Sequence, residues 1–319
     1  MSEQDAHEVN SDRPVTVIGA SGLDMIGTIK SKPVEGASNP AAIRVSYGGV
    51  GRNVAENLAR LGQPVRLVTA VGADTFGQEL LERTSQAGVD VHACLQCSSS
   101  ATSSYLAVLN EDGSRRIVLE DMSILEELTP DHIREHQDFM AGSSLVFVDL
   151  NLPAETLRTV FAQAREMNIP ICADATSPRL VARLGAYLDQ LTMLTANMAE
   201  ASALCENNPK VTDEASALEA ARRMVNHGVD LAVVTLAEFG VVYATSETNG
   251  HVPAIRTSVL DPTGAGDALT ATIIFGLLND IPIDEAVRLG VTAASLILRY
   301  RGTVLPGLTL EKLYDELVI

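Results

Sequence analysis

The chain has no tryptophan, and aromatic residues fill only 4% of its 319 positions. The broad stacking platforms that hold single-stranded nucleic acid need such side chains, so that class is disfavoured. Positive charge is scarce as well: 23 Lys and Arg stand against 41 Asp and Glu, a net charge of −18. Gripping nucleic acid or anionic lipid takes clustered cations, so neither is an expected partner. An anion site made of backbone amides stays compatible with this balance. Long apolar runs are missing. The strongest near the C-terminus, Leu269–Leu278, is too short for a bilayer and follows a glycine-rich turn. Four cysteines do not make a disulfide framework. Cys94 and Cys97 form a CxxC that suits a redox pair or half a zinc site, but no second CxxC or histidine pair answers it. Two ordinary thiols in a cytoplasmic protein are the simpler expectation. Residues 1–13 are polar and lack an apolar signal core, which predicts a disordered tail.

What is present is globular in kind, with 46% hydrophobic and 20% charged residues. The length suits about two domains or one large one. No Pro/Ser-rich linker divides the chain, so residues 14–319 are expected to form one unit. Its rhythm alternates strands and helices. Val15–Ala20, Val65–Val71, Leu145–Leu150, Ile169–Ala173 and Leu231–Leu236 are short apolar runs of strand length. Helices are predicted over Asn53–Leu61, Phe76–Ala87, Pro153–Met167, Asp213–His227, Ala265–Leu278 and Asp284–Leu298. This order predicts an α/β fold, a parallel sheet covered on both faces. Two stretches, about 25–47 and 91–120, alternate polar and apolar residues instead. They predict a small antiparallel sheet beside the main layer, acting as a lid. Its edges invite pairing, so a homodimer through the lid is an expectation.

Asp261-Pro262-Thr263-Gly264-Ala265-Gly266-Asp267 precedes an apolar helix. Small residues there let backbone N–H groups turn inward, and the helix start adds its positive end. The amides of Gly264, Ala265 and Gly266 would form a hole for a transferring phosphoryl group. Asp267 beside it could take the proton of an attacking hydroxyl. Taken alone, GAGD also suits an ordinary helix start. There is no Walker A sequence. Gly48-Gly49-Val50-Gly51-Arg52-Asn53 enters another helix, where the Asn53 amide could reach a polyol. Asp24 follows the first strand, at the ligand-binding edge of a parallel sheet, and could accept two hydrogen bonds from a vicinal diol. Each of these segments has an ordinary structural reading by itself.

Together, Asp24, Gly48-Gly49…Asn53, Asn197…Glu200 and DPTGAGD, in this order, resemble the ribokinase-like (PfkB) family of sugar and nucleoside kinases. The resemblance runs from Val15 onward. It implies a three-layer αβα sandwich with a small β-sheet lid, ATP and Mg²⁺ as cofactors, and a small-molecule nucleoside or sugar as acceptor. It further implies Asp267 as catalytic base, and Asp24, Gly48, Gly49 and Asn53 as holders of the ribose. Asn197 and Glu200 would act near Mg²⁺ and the nucleotide phosphates, and Thr235 and Gly240 would flank the nucleotide. Asn151 would line the pocket, while Asp261 and Thr263 correspond to a K⁺ site of some members. Within the family, Gly48–Gly62 and Thr102–Gly113 are similar to pseudouridine kinases, as is Ser38-Asn39-Pro40. That places Ser38, Asn39, Thr102, Ser103 and Tyr105 over the acceptor. Ribose or another nucleoside or sugar is the alternative acceptor, and a nucleoside-binding protein with weak catalysis the alternative of another class. Three departures fall on the donor side. Thr195-Ala196 replaces the usual Lys-Pro, and a Lys is absent near Arg179 and Arg183. Ala237 replaces a glycine whose loss would cost roughly 1 kcal/mol if that position has positive φ.

Overall fold

A computed structural model describes residues 13–206 and 209–317. The expected tail, save Arg13, lies outside these residues. The strands are β1 (Val15–Ile18), β2 (Gly22–Ile29), β3 (Ala41–Gly48), β4 (Val65–Val68), β5 (Ala70–Gly72), β6 (Val89–Asp90), β7 (Leu95–Cys97), β8 (Ser103–Leu109), β9 (Arg115–Asp121), β10 (Leu145–Asp149), β11 (Ile171–Asp174), β12 (Leu191–Asn197), β13 (Leu231–Thr235), β14 (Val241–Ala244) and β15 (Asn249–Val252). The helices are α1 (Val50–Arg60), α2 (Thr75–Gln86), α3 (Pro130–Glu135), α4 (Gln137–Met140), α5 (Ala154–Glu166), α6 (Met198–Leu204), α7 (Glu214–Asn226), α8 (Ala265–Leu278), α9 (Ile283–Leu298) and α10 (Leu310–Asp315).

Nine strands form the main sheet in the order β15-β14-β13-β12-β11-β10-β1-β4-β6. Its central strands are buried on both faces, and alternation along each strand feeds two separate cores. From β1 and β10, Val15, Val17, Leu145 and Phe147 join one core with Val54 and Leu58 of α1 and the apolar faces of α8 and α9. Ile18, Val146 and Val148 join the other with α5 and α7. This is why the molecule has three layers. Helix α8 is buried almost all round because it packs between α1 and α9 in the core on one face of the sheet. Among the described residues no helix is long and apolar enough to cross a membrane.

The last two strands depart from the parallel pattern. β14 and β15 pair antiparallel as a hairpin at one edge of the sheet. The small sheet has the order β3-β2-β8-β9. Its outer pairs are antiparallel as expected, but β2 and β8 run parallel, because they arrive by separate crossovers from the main layer. Residues 91–102 do not belong to it. β7 pairs instead with β5, which continues from the main sheet through the run read as one strand over Val65–Val71. Cys94 and Cys97 are free thiols; Cys94 donates to the Leu67 carbonyl, and burial pushes its pKa up to about 12.

Candidate active site

Seven parallel strands of the main sheet share one carboxyl edge, and polar residues close four of them, β10 to β13. The carboxylates Asp149 and Asp174 close β10 and β11 in register. Asn197 and Thr235 close β12 and β13, likewise in register. Asp149 is fully buried and works as a clamp. Its Oδ2 accepts from Ala20 N (2.6 Å) and Gly51 N (3.0 Å), and its Oδ1 from Asn151 N (2.9 Å). The loop after β1 and the start of α1 are thereby held together.

That clamp sets the two sides of the site against each other. Asn53, in the first turn of α1, donates from Nδ2 to Asp267 Oδ2 at 2.7 Å, across 214 positions of sequence. Asp267 lies in the first turn of α8. Burial raises its pKa to about 7; the Asn53 bond opposes this, and the carboxylates of Asp24 and Asp149 add to it. Gly264 caps α8 in the left-handed region at φ 83°. A Cβ there would stand 2.0 Å from the Thr303 carbonyl oxygen, so only glycine permits this turn. The first amides of α8 lack intrahelical acceptors and open beside Asp267. A carboxylate titrating near neutrality beside helix-start amides, of which Ala265 N makes only a long bond to the Pro262 carbonyl (3.4 Å), can accept a hydroxyl proton while an anion is held.

Asp24 stands on β2 with its carboxylate packed over Gly48. A Cβ on Gly48 would lie 2.1 Å from Asp24 Oδ2, so glycine is required by close approach. Burial raises the pKa of Asp24 to about 6, with Asp261 adding to the rise and Arg52 and Arg44 opposing it. Tyr105 pairs with Asp24 across β2 and β8 and shares its face. Ser103 is buried with its hydroxyl unpartnered. The Thr102 side chain is committed elsewhere: its Oγ1 donates to Asp74 Oδ1 (2.8 Å) and accepts from Gly72 N (3.0 Å). Ser38 is exposed, and Asn39 closes its own loop through Val34 and Ala37. No hydrogen bond ties either to Asp24, Asn53 or Asp267 among the described residues.

Beside the α8 start lies a cavity of about 880 Å³. Asn197, Thr235, Ala237, Gly240 and Gly266 line it, and Arg115 reaches it from β9. Asn197 caps α6 and closes a reciprocal box with Glu200, whose Oε2 accepts from Asn197 N at 2.8 Å. Glu200 is buried and Asp174 half-buried, both with raised pKa values, Asp174 partly through repulsion by Glu200 and Asp267. No group of three or more such ligands placed to hold a metal occurs among the described residues. The arginines near β11 are occupied. Arg183 donates to the carbonyls of Leu150 and Leu152, and Arg179 pairs with Glu120 of β9. Thr195 is buried with an unpartnered hydroxyl. Asp261 does not stand open for a metal ion: Arg44 of β3 pairs with its Oδ2, and Thr263 N donates to its Oδ1 at 3.1 Å.

Ala237 sits at φ 51°, the left-handed region that glycine tolerates and alanine resists. Ala237→Gly is therefore expected to stabilise the protein by about 1 kcal/mol. A denaturant midpoint raised at unchanged slope would show it, and a lowered midpoint would refute the strain.

Sequence reasoning missed Asp149, Asp174 and Arg52. The first two carried a signal: an acid directly after a buried apolar run, at the edge where ligands bind. Arg52 lies inside the Gly48–Asn53 segment, where an arginine near a helix start carries no signal of its own. It is buried, and its Nη1 donates to Asn53 Oδ1 (3.1 Å), to the Tyr47 carbonyl (3.2 Å) and to Thr303 Oγ1 (3.4 Å).

A pseudouridine kinase of Escherichia coli K12 is 32% identical over 93% of this chain and 94% of its own length. The structure of a carbohydrate kinase from Agrobacterium tumefaciens superposes with a TM-score of 0.81 at 30% identity, covering 96% of this chain and 97% of that one. Arabidopsis thaliana ribokinase, complexed with ribose and ATP, has the same ribokinase-like fold at a TM-score of 0.84 and 22% identity, covering 96% and 99% of the two chains. The pfkB family carbohydrate kinase pattern matches residues 13–309. The chain thus belongs to the pfkB family of carbohydrate kinases, enzymes that transfer phosphate to a sugar or nucleoside hydroxyl.

Proposed function

We propose that this kinase transfers the γ-phosphoryl group of ATP to the 5′-hydroxyl of pseudouridine. The observation that carries the reading is the 2.7 Å bond between Asn53 and Asp267. It joins the polyol-facing helix to the helix that opens the amide cradle. Asp24, packed on Gly48, would accept from the ribose diol, and Asn53 would orient the sugar so that its 5′-oxygen meets Asp267. Asp267 takes the hydroxyl proton as the oxygen–phosphorus bond forms and the bond to the departing ADP breaks. The α8 amides and Gly264–Gly266 hold the equatorial oxygens; a donor of this kind is typically worth ~3 kcal/mol in the barrier. The cavity lined by Asn197, Thr235 and Gly240 would take the nucleotide.

Mg²⁺, when bound, neutralises charge on the nucleotide phosphates. The residues present suit an ion carried by those phosphates: Glu200 has both oxygens held by Asn197, and a cation beside it would offset the repulsion that raises the Asp174 pKa. No chelating cage is needed from the chain. Ser103 and Tyr105, on the strand beside Asp24, are the best-placed lid residues to meet the base. The outer face of the small sheet leaves Ile43 and Leu119 74% and 55% exposed, which supports a homodimer through that face.

The acceptor is tested by initial rates with MgATP and a panel of pseudouridine, uridine, inosine and ribose. Pseudouridine is expected to show the highest kcat/KM. A preference for ribose or inosine would replace the acceptor while leaving the phosphotransfer intact.

A further inference from the structure

The Asp261 side chain is only 2% exposed, and it lies in the loop that leads directly into Gly264 and the α8 cradle. A carboxylate so deeply buried needs a positive partner. The resemblance to kinases with a monovalent-cation site predicts a K⁺ ion for that partner. The residues here do not fit one. Arg44 Nη2 meets Asp261 Oδ2 directly, and the remaining oxygen accepts from Thr263 N. A cation placed against this carboxylate would share it with a guanidinium.

Arg44 comes from the small sheet. It lies on β3, on the side opposite Ile43 and Val45, which face solvent. Alternation therefore turns its side chain toward the main body. The guanidinium also lies near Asp24, whose charge it partly offsets. Its Nε is buried and unpartnered. One side chain thus joins the lid sheet, the acceptor-side carboxylate and the loop that shapes the anion cradle.

We propose that Arg44 takes the place of a monovalent cation at Asp261, and that it does so from the lid sheet, making the charge balance of the phosphoryl cradle depend on that sheet being seated. Arg44 is a positioning residue in this scheme: it acts through Asp261 on the backbone of the cradle. Potassium independence follows, since the site is already filled by the chain itself. The proposal rests on the kinase reading only for its rate measurements.

The experiment compares wild type, Arg44→Met and Arg44→Lys in potassium, sodium and choline chloride at equal ionic strength. Rates are measured with MgATP and pseudouridine, and thermal unfolding is followed without either. The wild-type rate is expected to change less than about twofold between potassium and choline. Arg44→Met should lose at least about tenfold in choline, because a buried carboxylate is left unpaired beside the cradle, and should regain a large part of that in potassium. Its unfolding temperature should rise with potassium relative to choline, whereas that of wild type should not. Arg44→Lys keeps the charge and should remain indifferent to potassium. A wild-type enzyme that needs potassium for activity overturns the proposal, as does an Arg44→Met variant with the wild-type rate in choline. The wild-type and Arg44→Lys arms do not depend on the Met variant folding. The unfolding arm needs no acceptor, so an error in the acceptor assignment is distinguishable from an error here.

Discussion

Asp267→Asn is expected to lower turnover by at least about 100-fold while leaving acceptor binding measurable. The amide keeps an oxygen for Asn53 Nδ2 and keeps the size of the side chain, but it cannot take a proton. Geometry and binding are therefore retained and the proton transfer is lost. In the wild type, kcat/KM should rise with pH and level off above about 7, where the Asp267 carboxylate of the free enzyme is ionised. The variant should lose that limb. Stability should move the opposite way. The folded protein retains a proton on Asp267 up to about pH 7, whereas the unfolded chain releases it near the ordinary value of 3.8. Folding therefore binds protons in this window, and the associated stability is lost as pH rises from about 4 to about 7. Asp24, raised to about 6, adds in the same direction. At pH 8 the Asn variant is freed from this cost and should be more stable than wild type by ~1–2 kcal/mol, allowing for the water that reaches a half-buried group. Isothermal titration, a pH–rate profile and unfolding curves at pH 5.5 and 8 check these points. A variant that keeps wild-type turnover removes Asp267 from the role of base.

The parts of this site that could be read in advance are those whose meaning is local. Gly264-Ala265-Gly266-Asp267 before an apolar helix carries its own physics: small residues, free amides and a helix start within one turn. β1, β10 and β13 were legible because a strand buried on both faces is a nearly unbroken apolar run, interrupted inside these three only by Thr16. β12 was not, because Thr192 and Thr195 interrupt Leu191–Asn197 and its polar end reads as a loop. The β14–β15 hairpin was hidden for a similar reason, since Gly240, Asn249 and Gly250 look like turn residues. The parallel pairing of β2 with β8 depends on two crossovers and leaves no periodic trace. Long-range polar pairs were the least accessible. Arg44 and Asp261 are 217 positions apart, and nothing in the composition around either one selects the other. Ala237 is the converse case: the replaced glycine raises the question of a left-handed backbone without naming a partner, and the φ of 51° answers it.

Arg52→Met should combine a stability loss with a shift in the pH–rate profile, and the combination identifies what Arg52 does. Arg52 is 6% exposed, and its guanidinium pairs with Glu56 one turn further along α1. Glu56 keeps a second partner, because Arg60 Nε donates to its Oε1 at 2.9 Å. The carboxylate is thus not stranded when Arg52 is removed, and the cost should fall at or below the usual ~3–5 kcal/mol for breaking a buried pair. The catalytic effect has a separate origin. Arg52 Nη1 holds Asn53 Oδ1, and so fixes which end of that amide faces Asp267. The same nitrogen reaches Tyr47 at the end of β3 and Thr303 behind Gly264. Without it the Asn53 amide is free to turn, its donor leaves Asp267, and the acceptor loses an orienting group, so KM for the acceptor should rise and kcat should fall by at least about tenfold. Loss of the positive charge, together with loss of the Asn53 bond, also raises the Asp267 pKa, since both hold it down in the wild type. The acid limb of kcat/KM should therefore move to higher pH. A purely structural role would lower stability and the amount of active enzyme while leaving the position of that limb unchanged. A limb that stays in place, measured on folded protein, would assign Arg52 to the scaffold alone.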